Sequence, residues 1–478
     1  MFKIDKSKST LNLVLALFLS ITSTAVFSGD SDDVDGRGVT IESAVETALA
    51  IDPWLVSNKH SQNAIEAMSV AAGELPDPKV SLGIANLATD TFNFQQERMT
   101  QTKIGISQLF PRGDSRGIRK KQLETIGDQY PLQRQDRKAK VVMTVSQLWL
   151  DAYKAQESIV LIENDRALFE QLADVAQASY SSAVARTRQQ DIVRADLELT
   201  QLDDRLTVLR QQQEMSLERL SEWISSHFTG QYLNEVSARP WQQVSELQLA
   251  GSLPNIGLFN ASFFESSINV DLEKLGNELS RHPAVKALDE RIQAAGLGVN
   301  LAKQKYKPEW GVNASYGYRG DDLQGGERAD LFSFGVTFDA PIFTAKRQDK
   351  EVSAAVSEAE SLRTDKWLLL RKMMSSFETA KAQLSRLNDR QLLYQSKLLP
   401  QMYMQADASL TAYTNDDGDF AEAVRARIAV LNAEIEALNI DVDRQKAISE
   451  LNYLFVNEQN HSELMLNTHS ETSVRRNK

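Results

Sequence analysis

Apolar and small polar residues alternate strictly in four short stretches of the chain. Val80, Leu82, Ile84, Ile104 and Ile106 stand at even positions, with Ser81, Gly83, Ala85, Gly105 and Ser107 between them. Further along, Trp310, Val312, Ala314, Tyr316, Tyr318, Phe332, Phe334, Val336 and Phe338 are even. Gly311, Asn313, Ser315, Gly317, Ser333, Gly335, Thr337 and Asp339 are odd. A period of two predicts β-strands with one apolar and one small polar face, over residues 79–88, 102–110, 309–319 and 331–340. Aromatics such as Trp310, Tyr316, Tyr318, Phe334 and Phe338 on the apolar face suit a barrel wall in lipid around a wet lumen. About ten residues per strand cross an outer membrane when tilted. A soluble antiparallel sheet with one buried face shows the same alternation, so the strands alone leave both readings open.

The strands belong to a duplication. Pro53 and Pro283, Pro78 and Pro308, Gly105 and Gly335, and Pro111 and Pro341 are each 230 residues apart, an offset that chance rarely repeats four times. The first repeat spans 29–226, the second 281–458, with 227–280 as a linker or equatorial belt and 459–478 as a polar tail expected to be disordered. Each repeat opens with a helix. From Ile41 to about Ala72 the stripe Ala44, Ala48, Ile51, Leu55, Asn58 has helical spacing, interrupted at Asp52-Pro53.

Each strand pair leads into a long helical hairpin, over 114–226 and 344–458. The first carries Val141, Val145, Leu148, Ala152, Ala155, Ile159 and Ile162, then, past a polar break, Ile192, Ala195, Leu199, Leu202, Leu206 and Leu209. The second carries Ala359, Leu362, Leu369, Met373, Phe377, Ala380, Leu384, Leu387, Tyr394 and Leu398, then Ala423, Ala426, Val430, Ala433, Leu438 and Val442. Sustained three-four spacing with charges between is a coiled-coil pattern. Sixty-odd helical residues make a rod of roughly 100 Å.

Composition narrows the class. The chain has 478 residues, 25% of them charged, and no cysteine, which excludes thiolate metal sites, cysteine nucleophiles and a lipidated N-terminal cysteine. Residues 1–28 read as a secretory leader: Lys3, Lys6 and Lys8, an apolar core over 11–19, then Val26-Phe-Ser28. Its removal takes away three lysines and Asp5, moving the net charge from −12 to −14 (−12 − 3 + 1). Such acidity argues against nucleic acid as a partner and suits a passage for cations. No later stretch is apolar enough for a membrane helix, so any crossing is by strands.

Four strands cannot close a barrel, and an open edge cannot sit in lipid. The chain is therefore expected to associate. A homotrimer supplies twelve strands around a lumen, with the helices continuing that lumen as a periplasmic tube.

The order of elements, the duplication, and the phrases Leu75-Pro-Asp-Pro-Lys-Val-Ser-Leu-Gly83 and Gly105-Ile-Ser-Gln-Leu-Phe-Pro-Arg-Gly113 resemble the TolC family of outer-membrane efflux ducts. The Pro-Asp-Pro entry and Gln189-Gln-Asp-Ile-Val-Arg-Ala195 are similar to its heavy-metal (CusC/CzcC-like) branch, although many members of that branch start with a lipidated cysteine. The resemblance covers about residues 40–458. It implies a trimeric TolC-like duct, a 12-stranded outer-membrane barrel continued by a coiled-coil tunnel, which meets a periplasmic adaptor and an inner-membrane RND pump. It implies export of heavy-metal cations, with drugs or secreted polypeptides as the alternative cargo. It also implies that the helix turns are periplasmic tips that touch the adaptor: Ala185, Thr187, Gln190 and Asp191 in one, Asn415, Gly418 and Phe420 in the other.

Several residues bear chemistry. Asp416, Asp417 and Asp419 fall in one tip turn, and threefold repetition makes them a candidate cation ring or gate with Arg186 and Arg188. The plain alternative is a solvated turn with Asp419 as an N-cap. Gly113-Asp-Ser-Arg-Gly117 has the spacing of a hydrolase nucleophile elbow. The second repeat lacks it, the following helix is several times too long, and the histidines show no partner spacing, so a helix start capped by Asp114 or Ser115 is the preferred reading. Met402-Tyr-Met404 and Met373-Met374 are soft donors of the kind Cu(I) takes, although methionine on a long helix ordinarily packs. The five histidines are isolated. We expect no enzyme activity, cofactor or resident metal. A secreted coiled-coil scaffold is the competing class, and lipid-facing tyrosines argue against it.

Overall fold

The computed structural model describes residues 38–181, 189–225, 248–260, 264, 272–415 and 419–457. The chain divides into a short unit, Met1–Gly38, and a body, Val39–Lys478, to which all of the following refers. Its elements run α1 (Ile41–Ile51), α2 (Pro53–Gly73), β1 (Lys79–Ala85), β2 (Gln101–Phe110), α3 (Ser115–Ser181), α4 (Gln189–Ile224), α5 (Leu272–Leu279) and α6 (Pro283–Gln304). Then come β3 (Trp310–Tyr318), β4 (Leu331–Phe338), α7 (Gln348–Leu393), a π-helical turn (Tyr394–Leu398), α8 (Leu399–Thr414) and α9 (Phe420–Leu454).

The four strands form one antiparallel sheet in the order β1-β2-β3-β4. Even residues face even residues across every ladder: Leu82 opposite Ile104, Ile104 opposite Tyr316, Tyr316 opposite Phe332. The parity read along the chain thus becomes one continuous apolar face across two repeats. β1 ends three residues before the expected 88, because Asn86 turns to positive φ and its side-chain amide donates to the Met99 carbonyl. β4 ends at Phe338 rather than 340, because the Asp339 carboxylate turns back to accept the Glu309 N–H.

Strand order continues as helix order. β1 is entered from α2, β2 leads into α3, β3 is entered from α6 and β4 leads into α7. Packing runs α2 on α3, α3 on α6 and α6 on α7. Along α3 the neighbours change midway. Arg116 and Arg134 reach α2 at Gly73 and Asn58, whereas Glu163 and Arg166 reach α4 at Arg210 and Asp203. On its other side, Gln122 bonds the Ala294 carbonyl of α6, whereas Asp151 and Asp165 pair with Lys446 and Arg427 of α9. The wall therefore has two tiers. α2 and α6 stand in the sheet-bearing tier, α4 and α9 in the other, and α3 passes through both.

Apolar stripes hold the tiers. Val141, Val145, Ala152, Ile159 and Ile162 are buried as their spacing requires, as are Met373, Phe377, Ala380 and Leu384. Trp149 and Leu150, off that stripe, are equally buried, since α1 covers a second face of α3. Trp149 donates its indole N–H to the Val39 carbonyl at 2.9 Å and stacks on Tyr153. The stretch expected as a continuous helix to the second tip is interrupted by the π turn. Pro400 has no N–H to give, and the Leu399 N–H reaches the Tyr394 carbonyl five residues back.

Candidate functional site: an open apolar sheet face and a jointed wall

Among the described residues nothing covers the even face of the sheet. Leu82 is 77% exposed and Phe332 72%, and Val80, Ile84, Ile104, Ile106, Trp310, Tyr316, Tyr318, Phe334, Val336 and Phe338 are exposed with them. A contiguous apolar face of this size is foreign to a water-soluble surface. Trp310 and Phe338 pack together at the helix-side end of the face, their ring centres 5.1 Å apart, as girdle residues do at a membrane boundary. No helix among the described residues is long and apolar enough to cross a membrane. β1 and β4 each carry a neighbour on one side only, so two rows of backbone donors and acceptors are open.

The junction between strands and helices is clamped by polar contacts. Arg112, just past β2, pairs with Asp339 just past β4 and donates to the Lys305 carbonyl at the end of α6. Gln108 of β2 donates to the Pro76 carbonyl at the entry to β1. One guanidinium therefore ties the exits of both strand pairs to the helix between them. At the far end the two loops are tied likewise: Arg328 donates to the Glu97 and Gln95 carbonyls, and Asn86 and Thr100 close the base of the first loop.

Two joints mark the change of tier. In the first, Asp52 caps α2 by accepting the Trp54 N–H at 3.0 Å and pairs with Arg137 at 2.8 Å, its own side chain only 3% exposed. The Arg137 guanidinium lies between Trp54 of α2 and Trp223 of α4, 5.7 and 5.2 Å from the ring centres. In the second, His282 caps α6: Nδ1 accepts the Ala284 N–H at 3.2 Å, and Nε2 lies 3.1 Å from the Tyr453 carbonyl of α9. The carbonyl accepts only, so Nε2 carries the proton and the ring is neutral. Burial holds the His282 pKa below the usual histidine value, against the nearby Asp136 carboxylate. The Tyr453 hydroxyl donates to Asp136 at 2.9 Å, and burial followed by that carboxylate pushes the phenol pKa upward. Arg137 and Asp136 are consecutive on α3 and serve opposite joints.

Of the residues singled out in the sequence, Ala185, Arg186, Thr187, Arg188, Asp416, Asp417 and Gly418 lie outside the described residues. Asp419 is the N-cap of α9, accepting the Ala421 N–H, which is the plain alternative weighed for it. Phe420 is 2% exposed and packs edge-on against Tyr413. Gln190 and Asn415 are exposed, and Asp191 is buried. Gly113 takes positive φ and Ser115 opens α3, its N–H bonded to the Arg112 carbonyl; the elbow is a helix start flanked by Gln304 and Lys307. Met373 and Met374 pack on one core cluster, while Met402 packs on the chain and Met404 is exposed, so the second pair divides between faces.

Pattern reasoning missed the joints, although one signal was present: Asp52 and His282 directly precede the repeated prolines. It also missed buried Asp165, which accepts from Arg427 at 2.8 Å. Near that pair Tyr403 donates to Glu434, and burial pushes its phenol up to about 12.

No family model matches this sequence, and no curated protein matches it. Solved structures do resemble its fold. The Campylobacter jejuni CmeC outer membrane channel aligns with a TM-score of 0.69 at 12% identity, over 90% of this chain and 89% of that one. The outer membrane protein VceC from Vibrio cholerae aligns at 0.67 and 10% identity, over 87% and 96%. CusC, whose structures concern folding and transmembrane channel formation, aligns at 0.66 and 12%, over 87% and 92%. The chain has the TolC-like fold: a four-stranded antiparallel sheet continued by a long helical wall.

Proposed function

We propose that the chain is a passive outer-membrane duct, one of three identical copies whose sheets close a twelve-stranded barrel and whose helices extend it into the periplasm. One observation carries this reading: an apolar, aromatic-edged sheet face lies open on a sheet with two unpaired edges, and strand order passes directly into wall order. In lipid an open edge is untenable, so β1 of one copy and β4 of the next complete each other. Alignment over about nine-tenths of the chain with CmeC, described as an outer membrane channel, and VceC, described as an outer membrane protein, supports the same reading.

The duct works by position rather than by chemistry. Apolar even residues face lipid, small polar odd residues face the lumen, and the helical tier reaches toward a periplasmic adaptor and an inner-membrane RND pump that supplies the energy. The cargo we propose is heavy-metal cations, on the acidic composition and the resemblance of the Pro-Asp-Pro entry and the Gln189–Ala195 phrase. The tip turns, with Asp416, Asp417, Asp419, Arg186 and Arg188, are proposed as the cation-selective end, with the exposed Gln190 and Asn415 beside them facing the adaptor.

Fractionation followed by planar-bilayer recording tests the duct. Outer-membrane partitioning and stepwise conductance are expected; a protein that stays soluble without detergent and opens no channel points to the coiled-coil scaffold instead. Sensitivity of a deletion strain separates the cargoes: hypersensitivity to copper, silver or zinc supports metal export, and hypersensitivity to drugs alone replaces it. Within the duct, Asp416→Ala with Asp419→Ala is expected to lower cation selectivity; unchanged selectivity and closure removes the tip proposal.

A further inference from the structure

We propose that the joint between α6 and α9 is an acid-released clasp, with His282 as its proton-sensing residue. His282 is 0% exposed, and both ring nitrogens are committed in opposite senses. Nδ1 accepts the Ala284 N–H, and Nε2–H donates to the Tyr453 carbonyl. A second proton has one place to go, Nδ1, where it faces the N–H that the same atom was accepting. Proton binding thus removes the cap of α6, sets a cation against the positive end of that helix, and breaks the shared geometry that holds α6 to α9. The clasp is released only by opening, since a closed, dry joint has no room for the charge.

The charged and titratable surroundings agree with that sense. From α3, Asp136 favours the charged ring while Lys140, ion-paired with that aspartate at 2.8 Å, opposes it. From α9, Tyr453 stacks edge-on against the imidazole at 5.0 Å and spends its hydroxyl on Asp136, away from the ring. Before the cap, Arg281 pairs with Glu278 of α5 at 3.1 Å. Lys286 lies one turn along α6 and adds positive charge on the helix itself. Among the described residues no carboxylate hydrogen-bonds the imidazole, and Asp136 acts on it only through space.

At the equivalent position in the other repeat, the Asp52 carboxylate caps α2 and pairs with Arg137, whose guanidinium lies between two tryptophans. That joint is the internal reference. The proposed regulation is therefore one-sided: acidity loosens the wall where α6 meets α9 and leaves the α2–α4 joint closed.

Hydrogen exchange on the full, detergent-extracted protein tests this, read as protection factors of the Ala284, Val285 and Lys286 amides from pH 8 to pH 5. If opening exposes His282 and takes up one proton, protection is level down to about pH 6.5 and then falls by up to tenfold per pH unit. Trp54 and Leu55, at the same place in the first repeat, stay level. His282→Asn keeps an acceptor for Ala284 without a titrating proton, so its protection is expected to stay level throughout; His282→Ala is expected to be low at every pH. Wild-type protection that stays level to pH 5, or a fall in His282→Asn equal to that of the wild type, overturns the clasp. Neither result bears on channel conductance, so the duct reading stands or falls separately.

Discussion

Asp52 and His282 stand 230 residues apart, each directly before the proline that begins a wall helix. Each accepts an N–H from the first turn of that helix, and each gives its own carbonyl to the next N–H, at Leu55 and Val285. Backbone geometry at a Pro-started helix demands only an acceptor at this place, and the duplication preserved that demand while leaving the acceptor free to change. Asp52 is held by charge and aromatic faces. His282 is held neutral, by one donated and one accepted hydrogen bond. The single helix between them serves both, because consecutive residues point about 100° apart: Arg137 toward one joint, Asp136 toward the other. Two copies of one architecture can thus answer salt and acid differently while both caps keep extended backbone, at φ −65°, ψ 108° and φ −60°, ψ 137°.

The largest expected break in this comparison is Arg137→Ala. It leaves the Asp52 carboxylate buried without its cation and empties the space between Trp54 and Trp223, so a loss of about 3–5 kcal/mol is expected. Guanidinium unfolding followed by tryptophan fluorescence checks it. At the second joint, His282→Ala removes a cap and the bond to Tyr453 and is expected to cost about 1–2 kcal/mol by the same assay; His282→Asn is expected to cost clearly less.

The sign of the pH effect separates the joints further. His282 has a folded pKa below its unfolded value near 6.5. Its contribution is therefore fully present above about pH 6.5 and is lost as pH falls below it, by up to ~1.4 kcal/mol per unit. Unfolding midpoints from pH 8 to 5 check this, and His282→Asn is expected to flatten that part of the profile. The smallest effect is expected for Tyr453→Phe: one hydroxyl bond to Asp136 is lost, about 1 kcal/mol, while Lys140 keeps the carboxylate paired.

The sheet was legible in the sequence because side-chain parity is a local property. Once Val80 and Phe334 are both even, only a register slip could part them, and none occurs. Helix spacing was legible for the same reason, and the stripe from Val141 to Ile162 packs as read. Trp149 was not legible, because nothing along α3 announces that α1 will cover a second face. The π turn was missed since an apolar rhythm runs unbroken through Leu398, while the missing N–H of Pro400 disturbs only the hydrogen-bond pattern. Partners such as Asp165 and Arg427, 262 residues apart, depend on how the two tiers meet. The joints fall between these cases: the repeated prolines flag the position, but no spacing rule connects His282 to Tyr453, 171 residues on.

The central claim is that the open edges of one sheet are completed by other copies of the same chain. Native mass spectrometry of the protein extracted from outer membranes in detergent measures this directly. The expected result is a complex of three copies with no free monomer, surviving until conditions that unfold the sheet. A monomer that keeps its strand content in detergent would contradict the account.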